Sequence, residues 1–388
     1  MAVSILIIGA GIAGLSTGCY AQMNGFSTRI FEMHDKPGGL CTAWKRRGYT
    51  FDYCIHNLGG SAPDSPYYRM WRELGALSPQ AARSRQSQAQ QAREARAQEA
   101  QGQDQDQTVV SAGAGSGPEA SQGCPVYHYT EMVRVEEPSG KSLTIGPDIA
   151  RLEEELKDLA PSDSEVIDEY VQGLRAFRNF DLLSVPGAGF WSVVRMLPHA
   201  ATMAKWMKPS LGTFAQRFAD PFLRRAFHYI QYDMPGTPVG AHLNMLAGMG
   251  RQDYGWPIGG SLAFARAIER RYRALGGEIH YKSRVAKILI EDGRAAGVRL
   301  ADGTEHRGDV VVSAADGHST IFNMLEGRYA TEAVRSYYAH APESQEMALH
   351  VYFGVDRDLS QEPHALVLLL DKPVEIAGHT RDRLGVET

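Results

Sequence analysis

The first fourteen residues restrict the fold of this chain more than any other stretch. Val3-Ser4-Ile5-Leu6-Ile7-Ile8 is β-branched and nearly all apolar, the pattern of a parallel strand covered on both faces. It runs into Gly9-Ala10-Gly11-Ile12-Ala13-Gly14, after which Ile12 to Asn24 reads as a helix, Gly25 as its closing glycine and Ser27 to Glu32 as a second strand. The spacing predicts a strand-helix-strand unit that binds a dinucleotide. Gly9 permits the tight turn, Gly11 lets backbone amides approach a pyrophosphate, and Gly14 allows close packing of helix on strand. The phosphates would then sit on the unpaired amides and positive dipole end of the helix. Glu32 closes the second strand, where its carboxylate can accept from ribose hydroxyls and repel a 2′-phosphate.

Composition narrows the surroundings of this unit. With 388 residues, 43% of them hydrophobic, the chain can bury a sizeable core in more than one domain. Its 40 basic and 45 acidic residues leave a net charge of -5, so nucleic acid is not an expected partner. Cys19, Cys41, Cys54 and Cys124 are widely spaced, with no neighbouring histidines at ligand intervals. That pattern predicts no metal site and no disulfide framework, and suits a reducing compartment. Val3 to Ile8 is far too short to span a bilayer and lacks a basic flank and cleavage site, so a cytoplasmic protein is expected.

The α/β text is interrupted and then resumes. Residues 1–77 read as the first part of the dinucleotide domain. Residues 78–123 are dominated by Gln, Ala, Arg, Gly and Ser, and read as a low-complexity, disordered insertion. Residues 124–250 read as a largely helical substrate domain, with helices over Ile149 to Leu159 and Ser164 to Phe177. Within it, 188–210 carries Trp191, Met196, Met203 and Trp206 with Lys205 and Lys208 and no acid. Core packing is one reading of that segment, and an interfacial helix touching a membrane is the other. Residues 251–330 read as the returning part of the first domain. They comprise a helix over Ser261 to Leu275, a small β-meander from Arg284 to Arg307 and a buried strand over Asp309 to Ala314. Residues 331–388 read as a return to the substrate domain, with a strand over Ala365 to Leu370.

Further segments carry a resemblance. Asp35-Lys36-Pro37-Gly38-Gly39-Leu40 follows the acid-bearing strand, then come Gly48-Tyr49-Thr50-Phe51-Asp52 and, much later, Tyr254-Gly255-Trp256-Pro257-Ile258-Gly259-Gly260-Ser261. In this order they resemble the FAD-dependent phytoene desaturase and carotenoid isomerase-like oxidoreductases of the flavin amine oxidase superfamily. The resemblance implies a Rossmann-like FAD-binding domain of the glutathione-reductase type, interrupted by a helical and mixed substrate domain. It further implies FAD as cofactor, held through Gly9, Gly11, Ile12, Ala13, Gly14, Glu32, Met33, Gly38, Gly39 and Leu40. Val285 falls in the strand like the adenine-contacting one, and Ala314-Ala315-Asp316 ends the strand that returns beneath the cofactor, which adds Ala315 and Asp316. Lys36 and Leu40 stand where arginines are common in the family, so side-chain contacts to phosphate there are in doubt and backbone contacts are not.

The same resemblance implies hydride chemistry on a long apolar, polyene or carotenoid-like substrate, by desaturation, saturation or isomerisation. A flavin amine oxidase is the enzymatic alternative, and a non-catalytic lipid carrier like the Rab GDP-dissociation inhibitors is the alternative of another class. His56, near the expected flavin edge, is a candidate general base or simply a packed histidine. The family closes its site with a further glycine-rich segment, which has no counterpart between Ala330 and Thr388. The expectation is either a truncated product or a site without that lid.

Overall fold

The computed structural model describes residues 2–78, 123–178, 197–231, 234–340, 351–359, 362–376 and 378–387. The expected low-complexity insertion thus lies, save for its ends, outside the described residues. Those ends meet: Cys124 N–H donates to the Ala76 carbonyl at 2.8 Å, and Ser78 N–H to the Cys124 carbonyl at 3.1 Å. The chain divides into two compact units, Met1–His56 with Tyr68–Tyr127 and Pro257–Val355, and Asn57–Tyr67 with His128–Trp256 and Asp356–Thr388.

The first unit opens with β1 (Ser4–Ile8), α1 (Ile12–Met23) and β2 (Ser27–Phe31), followed by the hairpin β3 (Ala43–Arg46) and β4 (Tyr49–Asp52). The chain rejoins this unit at α2 (Gly260–Ala274), β5 (Glu278–His280) and a meander of β6 (Val285–Glu291), β7 (Arg294–Leu300) and β8 (Glu305–Arg307). It ends in β9 (Val310–Ser313) and α3 (Glu332–His340). Strands β5, β2, β1 and β9 lie in that order, all parallel, which is the Rossmann-like α/β arrangement.

Both faces of this sheet are covered, which explains the unbroken apolar run of β1. On one face Leu6, Ile8 and Phe31 pack against Val285, Ile288, Val298 and Leu300 of the meander. The alternating residues Ile7 and Ile30 are fully buried on the other face, toward the helices. There α1 and α2 approach so closely that a β-carbon on Gly18 would stand 2.6 Å from the Tyr272 ring. The Tyr272 hydroxyl in turn bonds the buried Thr28 hydroxyl at 2.7 Å.

One strand departs from expectation. Asp309 to Ala314 reads as buried, yet β9 is an edge of the sheet among the described residues, with Val310 41% exposed. A valine run reports β-propensity and says nothing about how many neighbours the strand has. The described residues 331–340 pack within the first unit, where Arg335 donates to the Gly327 carbonyl and the Tyr338 ring packs on His318 and Phe322.

The second unit holds a four-stranded sheet in the order His379–Glu387, Ala365–Ile376, Val133–Glu136, Ser142–Ile145. Its helices include Ile149–Leu159, Ser164–Arg178, Ala200–Met207 and Val239–Gly250. Trp206 is only 4% exposed and fills the space above Gly173, while Lys205 pairs with Glu169 at 2.9 Å. This part of the Trp- and Met-rich segment is core. Trp191 and Met196 lie outside the described residues. Among the described residues no helix is long and apolar enough to cross a membrane.

Candidate dinucleotide site

The site is assembled where β1 meets α1. Gly9 N–H donates to the Phe31 carbonyl at 2.8 Å, which ends β1 against β2 and turns the chain. Gly11 is the N-cap of α1, with no side-chain cap and no acid in the first turn. Elsewhere in the chain, Asp148 and Asp220 cap helices with their carboxylates. At α1 the first-turn amides of Ile12, Ala13 and Gly14 are left for an external anion. Gly14 cannot carry a side chain: a β-carbon there would lie 2.0 Å from the Gly9 carbonyl oxygen.

A second loop closes on this turn. Gly38 N–H donates to the Ala10 carbonyl at 2.8 Å, and Gly38 bridges Gly11 in parallel fashion. Gly38 has φ 111°, and a β-carbon would strike the Cys41 carbonyl oxygen at 2.1 Å, so only glycine fits. Gly39 follows with its α-carbon neighbourhood turned to Gly11.

Glu32 sits between the two loops, 4% exposed. Its Oε2 accepts from Ala10 N–H at 2.7 Å and its Oε1 from His34 N–H at 2.8 Å. The carboxylate is therefore fixed by backbone on both oxygens, each with acceptor capacity left for a ribose hydroxyl. Beyond it, Ser283 N–H donates to the Glu32 carbonyl at 2.7 Å, leading to Val285, whose side chain is in the core beneath β1 and β2. On the far side Ala314 N–H donates to the Ile8 carbonyl at 2.9 Å, so Ala314 and the following Ala315 lie alongside the Gly9 turn.

Met33 and Leu40 turn outward, 57% and 74% exposed. Lys36 donates to the Ala43 carbonyl at 2.7 Å, a local tether that engages its ammonium. Asp316 accepts from Ser319 N–H at 2.7 Å, and the amides of Ser319 and His318 hold its carboxyl below the usual carboxylate range. Its carboxylate thus caps the next helical turn. His56 is half-buried. Beside it, Ile55 N–H donates to the Ser261 hydroxyl at 2.8 Å, and Ser261 is in turn bonded by its N–H and hydroxyl to Asp52. In the sequence Asp52 and Ser261 belong to two distant segments, and neither residue carries a signal of its own. Their pairing is the missed feature.

Two family models match the chain: a NAD(P)-binding Rossmann-like domain over residues 7–74, and an FAD-dependent oxidoreductase over 253–380. The lycopene-forming phytoene desaturase of Pseudescherichia vulneris is 26% identical over 366 residues, covering 92% of this chain and 65% of that protein. The chain is thus similar to phytoene desaturases. The 4,4′-diapolycopene oxygenase of a Methylomonas species is 24% identical, with 96% of this chain and 66% of that protein covered. The chloroplastic prolycopene isomerase of Daucus carota is 23% identical, with 91% and 52% covered. The chain therefore spans less than two thirds of the length of these relatives. A solved oxidoreductase from Methanosarcina mazei superposes with a TM-score of 0.47 at 18% identity, over 87% of this chain and 64% of that one.

The cofactor implied is FAD, and the cradle fits it. A β-carbon built on Gly11 meets nothing nearer than the Gly38 carbonyl oxygen at 3.9 Å, so the space before the first turn of α1 is open. Uncapped amides, an adjacent buried acid and that opening are what a pyrophosphate and its ribose require.

Proposed function

We propose that the chain is an FAD-dependent oxidoreductase of a long apolar, polyene or carotenoid-like substrate, which it desaturates, saturates or isomerises. The observation that carries this reading is the open cradle before Gly11, rimmed by the uncapped amides of Ile12, Ala13 and Gly14 and by the Gly38-Gly39 loop. In this proposal Gly9 to Gly14 receive the pyrophosphate, Glu32 and Met33 the ribose side, Gly38 to Leu40 the phosphates by backbone, and Val285, Ala315 and Asp316 the remaining length by main-chain groups. Bound FAD supplies the acceptance or donation of hydride. The chain's own residues bind, orient and exclude water, a task that needs no acid-base triad. His56 stays a candidate base. The substrate class is carried over from relatives named as desaturase, oxygenase and isomerase.

The test is spectroscopic and then chemical. The purified chain should be yellow or take up added FAD stoichiometrically, and should then alter the absorption of phytoene or lycopene isomers presented in micelles. A colourless chain that takes up no FAD, or one that binds prenyl lipid without flavin, sinks the reading. We also propose a peripheral membrane contact as the route of so apolar a substrate, by way of the acid-free segment 188–210. Trp206 has no part in it, being buried. Flotation with anionic liposomes checks this, and a chain that stays at the bottom of the gradient refutes it.

A further inference from the structure

The hairpin beside the cradle brings two thiols together. Ala43 pairs with Asp52 and Arg46 with Tyr49 across β3 and β4. The connecting residues Arg47 and Gly48 both have positive φ, 51° and 84°, as in a two-residue turn whose flanking pair, Arg46 and Tyr49, is hydrogen-bonded. Bonded and non-bonded pairs then alternate, so Ala43 and Asp52 form a non-bonded pair. Tyr53 N–H donates to the Thr42 carbonyl at 3.2 Å, which carries the ladder one step past β4. Cys41 and Cys54 are the next residues on the two sides, where the chain bends out of the ladder: Cys41 N–H turns back to the Gly38 carbonyl at 3.0 Å and Cys54 N–H to Asp52 Oδ1 at 3.3 Å. Residues facing each other across neighbouring antiparallel strands have α-carbons about 4.5–5.5 Å apart, inside the span of about 4.4–6.8 Å that a disulfide bridges, and these two lie one step past such a contact. The two thiols are near enough for each to shift the titration of the other.

We propose that Cys41 and Cys54 are a redox-active dithiol that closes to a disulfide across this hairpin. Cys54 is exposed and meets the oxidant, and Cys41 is buried and resolves the product. With a hydroperoxide as oxidant, the Cys54 sulfur takes the terminal peroxide oxygen, the O–O bond breaks and an alcohol leaves, or water from hydrogen peroxide. The Cys41 sulfur then displaces water from the Cys54 sulfenic acid and the S–S bond forms. The sulfurs together lose two electrons, the peroxide gains them, and both thiol protons end in the leaving alcohol and water.

The bridge acts at a sensitive place. The Cys41 carbonyl abuts Gly38, and the Cys41 thiol donates to the Ser261 carbonyl at 3.3 Å. Oxidation withdraws that donor from the start of α2 and staples the Gly38-Gly39 loop to the hairpin. Burial pushes the Cys41 thiol up to about 12, and burial with the nearby Asp52 carboxylate raises Cys54. Closure is consequently slow at neutral pH and faster in mild alkali.

The inference is independent of flavin binding and is tested without it. The full chain is exposed to hydrogen peroxide at neutral and at mildly alkaline pH, alkylated, and mapped by mass spectrometry. The expected result is a Cys41–Cys54 linked peptide, reversed by dithiothreitol, formed faster in alkali and absent in Cys54→Ser and in Cys41→Ser. Because Cys54 is exposed, Cys54→Ser keeps the test valid if the buried substitution fails to fold. Cys54 proceeding to sulfinic or sulfonic acid while Cys41 stays a thiol overturns the proposal. So does a link through Cys19 or Cys124, or a pair that stays reduced.

Discussion

Asp52 and Ser261 hold each other across 209 positions of sequence: the Ser261 N–H donates to Asp52 Oδ2 at 2.6 Å, and the Ser261 hydroxyl donates to Oδ1 at 2.5 Å. A carboxylate at the end of β4 thus satisfies the first turn of α2, as an N-cap does from within a helix. The same hydroxyl accepts from Ile55 N–H, so one serine ties the hairpin, the approach to His56 and the helix start together.

Asp52→Ala should accordingly lower stability by about 2 kcal/mol, and Ser261→Ala by about 1 kcal/mol, the range for caps and charge-assisted bonds. Urea unfolding of the two variants gives the comparison. An Asp52→Ala protein as stable as the parent would show that the clasp is incidental.

Gly11 and Gly14 should respond differently to substitution although they stand three positions apart. At Gly11 a side chain enters open space, so Gly11→Leu should fold with near-parental stability and retain no FAD. At Gly14 the first added carbon meets the Gly9 carbonyl, so Gly14→Ala should cost about 3 kcal/mol or more. Flavin released on denaturation, read beside a melting curve, separates the two. Full flavin content in Gly11→Leu would move the cofactor elsewhere.

Glu32→Ala leaves the buried amide of Ala10 and the part-buried amide of His34 without their acceptor. A loss of about 2–3 kcal/mol is expected even before any ligand is added. Glu32→Gln should be milder in stability and still weaken FAD retention, because one oxygen is replaced by a donor facing a donor. Equal melting temperatures for Glu32→Ala and the parent would refute the assignment of these bonds.

His242 provides the pH dependence. It is fully buried in the second unit between the Tyr170 hydroxyl at 2.8 Å and Gln231 Oε1 at 2.9 Å. Burial lowers its pKa from 6.5 to about 3. The folded value is the lower one, so the unfolded chain binds the proton more readily. The contribution is complete above 6.5 and is lost as pH falls toward about 3. Unfolding measured above and below that upper limit should show the slope in the parent and a flatter one in His242→Gln. Identical slopes would assign the acid sensitivity to other groups.

How much of this was legible depended on distance along the chain. The β1–α1–β2 unit and the α2 boundaries follow from local periodicity and glycine placement, and they fell within a residue of expectation. The strands Val133–Glu136 and Ser142–Ile145 were passed over although their inward residues alternate, because the alternation is only four residues long in each. The strand from Ala365 was expected to stop at Leu370 and runs on to Ile376 through Pro373, which sits in a register shift between Leu369 and Val374. Proline normally ends a strand, and a bulge is where it is tolerated. The clasp of Asp52 with Ser261 and the Gly38 bridge to Gly11 leave no periodic trace at all, since each joins residues whose neighbours are ordinary.

The central position of β1 has a kinetic consequence. It pairs on one side with β2, made at once, and on the other with β9, just before which Asp309 accepts from Ser4 across 305 positions. During synthesis the N-terminal strand therefore waits with one backbone edge and an apolar face uncovered until nearly the whole described first unit has emerged. Contacts of such long separation are slow to close and expose aggregation-prone surface meanwhile. Nascent chains stalled before residue 285 lack the meander and β9 altogether. They should load no cofactor and engage chaperones, however complete their glycine signature.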